Sequence, residues 1–178
     1  MIPIKSERLT LNPIQIDDLI SVHDLLINPK TDKFNLLGIP QNREETEIIL
    51  LNWISENQKE KQVKYTFSIK RKTNQFIGII GINLGKEKYK NAEVWFKIHP
   101  QFWNKGYATE ALKTVIKHCV SELKLHRIEA GCAVGNTGSI RVIEKAGMIL
   151  EGRKRQLLPL KSGWSDNFGY AILASDLV

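Results

Sequence analysis

Trp103-Asn104-Lys105-Gly106-Tyr107-Ala108-Thr109-Glu110-Ala111 joins the end of a strand-like segment to the start of the most regular helical pattern in this chain. Upstream, Ala92 to His99 alternates like a strand and Pro100 stops it. Downstream, Ala108, Ala111, Leu112, Val115, Ile116 and Cys119 recur at helical spacing, which predicts a helix over 106–123. A helix N-terminus presents unpaired N–H groups and a partial positive charge, and a glycine there lets an anion reach the backbone with no Cβ in the way. The junction therefore reads as a phosphate site built from main chain. The plainer alternative is that Asn104 and Gly106 only make a tight turn and cap the helix.

On the N-terminal side, Arg8 to Pro13 predicts an opening strand, and Asp17 is expected to cap a short helix with Leu19, Val22, Leu25 and Leu26 on one side. A second helix is predicted after Asn42, with Glu44, Glu45 and Glu47 in its first turns. Tyr65 to Ile69 and Phe76 to Asn83 read as central strands joined through Lys72-Thr73-Asn74-Gln75. On the C-terminal side, Arg127 to Val134 predicts a strand, Thr137 to Ala146 a helix ended by Gly147, and the remainder a hairpin turning near Lys161-Ser162-Gly163. The mixed order fits neither a parallel Rossmann sheet nor a TIM barrel. The longest stretch without periodicity is 28–40.

At 178 residues, 42% of them hydrophobic and 25% charged, the chain fits one domain over 1–178 with a core that needs no staples. The formal charge of +7 points to an anionic partner without naming it. Cys119 and Cys132 lack CxxC spacing, which suggests a reducing compartment. The N-terminal residues form no apolar stretch and no window reaches a membrane-spanning length, so a soluble cytoplasmic protein without membrane contact is expected. GxxxxGK[ST], GxGxxG, HExxH, GxSxG and EF-hand patterns are all missing, which weakens phosphoryl transfer, dinucleotide redox and zinc hydrolysis. His23, His99, His118 and His126 are scattered, so no metal is expected.

The junction resembles motif A of the GNAT superfamily of acetyl-CoA-dependent N-acetyltransferases, R/Q-x-x-G-x-G/A, through Gly106 and Ala108. Trp103 stands where the family usually has Arg or Gln; aromatic residues occur there in one branch, the Rim-type acetyltransferases of protein N-termini. That branch is also similar at Ser6-Glu7-Arg8-Leu9-Thr10-Leu11, Arg127-Ile128-Glu129-Ala130, Asn136-Thr137-Gly138-Ser139, Glu144-Lys145-Ala146-Gly147-Met148 and Gly163-Trp164-Ser165-Asp166-Asn167-Phe168-Gly169-Tyr170. The resemblance spans nearly the whole chain in order.

It implies an α+β GNAT fold: a single mixed, mostly antiparallel twisted sheet with a central V-shaped splay, flanked by about four helices. Acetyl-CoA would lie in the splay, with coenzyme A as product. Phe96, Lys97 and Ile98 would offer backbone groups to its pantetheine arm. Trp103, Asn104, Lys105, Gly106, Tyr107, Ala108 and Thr109 would surround the pyrophosphate, and Asn136 and Lys145 would touch the cofactor. By the same resemblance Glu93 is the candidate base for the amine proton and Ser139 the candidate acid for the thiolate. Their plainer roles are a solvated strand carboxylate paired with a lysine and a residue in a helix's first turn. Asn136 is equally a good N-cap and Lys145 an ordinary last-turn cation.

The expected acceptor is a primary amine, foremost a protein N-terminus or ribosomal protein, with a small amine, polyamine or antibiotic as the alternative, and the protein would be a monomer or homodimer. An α-amine of pKa ~8 is about a quarter neutral at pH 7.5, against ~0.1% for a lysine of ~10.4, so the α-amine asks less of one carboxylate base. Specificity is expected to lie in the early helices and in 28–40, with Phe34, Leu36 and Leu37 as candidate wall residues, at least two of them packing. A second reading is a basic RNA- or ribosome-binding module using Lys59, Lys61, Lys64, Lys70, Arg71 and Lys72, although no aromatic-interleaved recognition motif supports it.

Overall fold

A computed structural model describes residues 2–177. β1 (Ile4–Lys5) and β2 (Leu9–Pro13) open the chain, followed by α1 (Leu19–Leu26), α2 (Pro29–Asp32) and α3 (Arg43–Gln58). Then come β3 (Lys64–Arg71), β4 (Phe76–Leu84), β5 (Asn91–Ile98), α4 (Tyr107–Ser121), β6 (Arg127–Ala133), α5 (Thr137–Lys145), β7 (Ile149–Leu160) and β8 (Gly163–Leu173). The eight strands form one open sheet in the order β1-β2-β3-β4-β5-β6-β8-β7, and β5–β6 is its parallel pair among otherwise antiparallel neighbours.

The sheet buries both faces because its central strands are apolar on both sides. On one face α4 inserts Leu112, Val115, Ile116 and Cys119 against Ile80, Ile82 and Val94. On the other, α1 and α3 pack Val22, Leu25, Leu26 and Leu50 against Ile79, and Trp53 lies 6.0 Å from Trp95. Asn57 fastens α3 to the sheet, donating to the Thr66 carbonyl at 2.8 Å and accepting from the Thr66 N–H at 2.9 Å.

Several expectations need correction. The residue that precedes α1 is Asp18, not Asp17; it is buried, its Oδ2 accepts the Gln15 N–H at 3.1 Å and its Oδ1 pairs with Lys70 at 2.8 Å, so its side chain closes the preceding 3-10 turn and ties it to β3 instead of capping α1. The aperiodic stretch 28–40 contains the single-turn helix α2, started by Pro29 with the Asn28 side chain accepting from the Lys30 N–H at 3.1 Å. Short elements like α2 and the two-residue β1 carry too few residues to show a period. Leu36 and Leu37 are 57% and 47% exposed, so only Phe34 of the three candidate wall residues packs. In the basic cluster, Lys59, Lys61 and Lys70 are engaged by Glu56, Glu87 and Asp18.

Candidate active site

β5 and β6 pair only at Asn91↔Arg127, Ala92↔Ile128 and Glu93↔Glu129. Beyond that rung they part, while β4 follows β5 to Ile98 and β8 follows β6 to Ala133. The register fixes which groups face the gap. The Gly85 N–H donates to Asn91 and the His99 N–H to Ile77, so odd residues of β5 bond to β4 and even ones face away from it. Phe96 and Ile98 therefore turn their main-chain groups into the opening. Lys97, expected to do so, turns its main chain to β4 and its side chain to the α1/α3 face, which it shares with Glu93 and Trp95. A strand alternates both features with period two, so naming three successive residues as backbone donors could not hold.

The α4 start stands over this gap. Gly106 precedes it at φ 77° and no side chain caps the helix, so its first N–H groups remain available. Asn104 is also left-handed at φ 58°, a conformation asparagine tolerates. Trp103 is 42% exposed, and its indole N–H, its one donor, is given to the Ile98 carbonyl at 2.7 Å. It therefore braces the strand end and has no donor left for a phosphate. Lys105 is exposed, with Nζ 5.6 Å from the Phe102 ring centre.

Sequence reasoning missed Arg8 as a site residue. Its Nε donates to Glu110 Oε2 at 2.6 Å and Nη1 to the Lys105 carbonyl at 3.2 Å, and the guanidinium lies 4.7 Å from the Tyr107 ring centre. A Cβ built on Gly106 would lie 3.4 Å from Arg8 Nη2. A groove of about 590 Å³ runs past these groups and brings Arg8, Gly106, Thr109, Lys113 and Lys145 together. The signal was Arg8 in an N-terminal motif with Glu110 in the junction, a pairing across about a hundred residues that no local pattern reveals. Burial raises the Glu110 carboxyl, but hydrogen bonds from the Arg8 N–H, the Ser6 hydroxyl and the Arg8 guanidinium outweigh it and hold the group below its usual 4.5.

The α5 start differs. Asn136 Oδ1 accepts from the Ser139 N–H at 3.1 Å, leaving the Asn136 amide NH₂ and the Ser139 hydroxyl uncommitted among the described contacts. Glu93 is exposed at the vertex of the splay and has no ion pair among the described residues, so the lysine pairing of its plainer reading is not formed. Three residues separate it from Phe96, about 10 Å along the strand. The two thiols are poor nucleophiles: burial pushes Cys119 up to about 12, and burial with the nearby Glu144 pushes Cys132 up to about 11.

A splayed parallel pair with an uncapped helix start over its mouth is the arrangement that motif A implied, and the family model described as an acetyltransferase (GNAT) domain matches residues 8–149. The chain belongs to this family. A solved GNAT-family acetyltransferase from Bacillus anthracis is 30% identical, with a TM-score of 0.87 over 98% of this chain and 99% of that one. The ribosomal-protein-serine acetyltransferase of Escherichia coli is 30% identical over 100 residues, 56% of each chain. Spermidine N-acetyltransferase from Vibrio cholerae, solved with CoA and spermine, shares the fold at 22% identity with a TM-score of 0.84 over 96% and 98% of the two chains. The chain spans 49% and 66% of the length of the first two curated relatives it matches.

GNAT acetyltransferases use acetyl-CoA, and the residues present here fit it. The open α4 start and Arg8 suit phosphate groups, and the outward main chain of Phe96 and Ile98 suits an amide-bearing arm. Among the described residues no group of three metal-ligating side chains occurs, and no helix is long and apolar enough to cross a membrane.

Proposed function

We propose that this GNAT acetyltransferase transfers acetyl from acetyl-CoA to a primary amine, foremost the α-amine of a protein N-terminus such as that of a ribosomal protein, by direct attack in a ternary complex. The observation that carries the reading is the parting of β5 from β6 after Glu93 and Glu129 beneath an uncapped α4. The 30% identity to a ribosomal-protein acetyltransferase supports this acceptor.

Acetyl-CoA supplies an acetyl thioester; the chain supplies positioning and proton transfer. The α4 N–H groups around Gly106 to Thr109, with Arg8 and Lys105, hold the phosphates, and Lys145 lies in the same groove. Phe96 offers its N–H to the oxygen that gains charge during attack. Glu93 takes the amine proton through water, as its distance from Phe96 along the strand requires, and Ser139 donates to the departing sulfur. Buried protonated thiols at Cys119 and Cys132 favour direct attack over an acetyl-cysteine intermediate.

The test is thiol release from acetyl-CoA across a panel of N-terminal peptides, small amines and polyamines. Release with an N-terminal peptide is expected. Silence on the whole panel, or no rise in Tm with saturating acetyl-CoA, overturns the reading.

A further inference from the structure

On the α1/α3 side of the splay the Lys97 ammonium lies within electrostatic reach of the Asp32 carboxylate, and the Asn35 side chain belongs to the same short segment as Asp32. Lys97 Nζ, Asp32 Oδ1 and Asn35 Nδ2 are all buried and unpartnered among the described residues. Buried polar groups take a partner from protein, water or ligand about nine times in ten, and Lys97 Nζ and Asp32 Oδ1 have none from the protein among the described residues. Asp32 is 4% exposed, and its other oxygen is held by Lys161 Nζ at 2.6 Å from the turn between β7 and β8. Asn35 follows one turn later, with its N–H on the Asp32 carbonyl at 2.9 Å. Burial pulls the Lys97 ammonium down to about 8, and Asp32 is the carboxylate near enough to oppose that, though the two form no ion pair. The segment carrying Asp32 and Asn35 also reaches β6's end of the gap, where a Cβ on Gly135 would lie 3.2 Å from Phe34 Cε1.

We infer that this cluster is the acceptor-reading site and that it selects an amine bearing a carbonyl on the adjacent carbon, with Lys97 donating to that carbonyl and Asp32 Oδ1 accepting from the amine. The inference rests on the proposed transfer to an α-amine and names what distinguishes that amine from others. Every peptide N-terminus places a carbonyl two bonds from its nitrogen. An amine without that carbonyl leaves Lys97 buried and unpaired, and a site built to bond a polar group rejects analogues that lack it far more strongly than a missing methylene does. A polyamine brings further positive charge to the same ammonium.

The experiment compares a peptide with N-terminal serine, ethanolamine (the same amine without its carbonyl) and spermidine, reading thiol release with wild type and Lys97→Met. Wild type is expected to favour the peptide. Lys97→Met should lower kcat/KM for the peptide by about thirtyfold, chiefly through KM, because a charge-assisted hydrogen bond is lost. Activity on ethanolamine should change by less than about threefold, and the Tm rise with acetyl-CoA should stay the same. Removing an unpaired buried charge should also raise the Tm of the free protein, whereas a structural role for Lys97 predicts a lower one. If Lys97→Met does not fold, Lys97→Gln, which keeps a neutral donor, should show the same acceptor-specific loss to a smaller degree. Equal losses on peptide and ethanolamine, no loss on the peptide, or a fall in Tm overturns the inference. Wild type that prefers spermidine also overturns it while acetyl transfer stands; wild type silent on every amine overturns the functional reading and the inference together.

Discussion

The starts of α4 and α5 both border the splay, but they are built in opposite ways. The α5 start is closed by its own asparagine, since Asn136 Oδ1 takes the Ser139 N–H. The α4 start has a left-handed glycine, no side-chain cap, and an arginine held beside it by Glu110. A side-chain cap takes up one of the free N–H groups of a helix start, whereas an uncapped start leaves them all to water or an anion. The proposed reading therefore assigns the phosphates to α4, and α5 offers only what its cap leaves over, the Asn136 amide NH₂ and the Ser139 hydroxyl.

Gly106→Val should damage the open start most. The left-handed φ is unfavourable for a β-branched residue, and the new side chain would press toward Arg8 across the exposed N–H groups. Calorimetry should show acetyl-CoA binding weakened about a hundredfold, roughly 2.8 kcal/mol. Unchanged affinity would remove α4 from the cofactor site.

Arg8→Ala should weaken acetyl-CoA about tenfold, and Arg8→Lys should recover only part, because a lysine cannot hold Glu110 and face the groove with one fork of donors. An effect no larger than that of replacing the exposed Lys105 would show that Arg8 is only structural.

At α5, Asn136→Ala should cost about 1 kcal/mol of stability through the lost cap, about 2–4 °C in Tm. Asn136→Ser keeps a cap and isolates any cofactor contact, so its acetyl-CoA affinity should fall a few-fold with Tm nearly unchanged. The smallest effect is a pH dependence at Glu110. Its lowered carboxyl pKa contributes stability that is fully present above the usual 4.5 and is lost as pH falls through the lower folded value. Melting wild type and Glu110→Gln should therefore show a gap at pH 6 that narrows as the pH falls below the usual 4.5.

Much of this was legible along the chain. The helix from Tyr107, the hairpin at Asn74 and the cap at Asn42 follow from local pattern, and the motif-A glycine stands at the α4 start. Less legible was anything set by register or by distant pairing. Lys97 lies between Phe96 and Ile98 in sequence, but the strand turns it to the other face. Arg8 meets Glu110 only because β2 and α4 pack together, and Trp103 gives its indole N–H to a strand end instead of a phosphate. Asp32 met Lys161 and neared Lys97 by bringing a one-turn helix and a hairpin tip to the same place, which no periodicity encodes.

The most direct measurement is mass spectrometry of a peptide with a free N-terminal serine and an internal lysine, incubated with the protein and acetyl-CoA. One acetyl group on the N-terminal nitrogen, with the lysine unmodified, is the predicted result. Acetylation of the lysine alone, or of neither amine, would contradict the account.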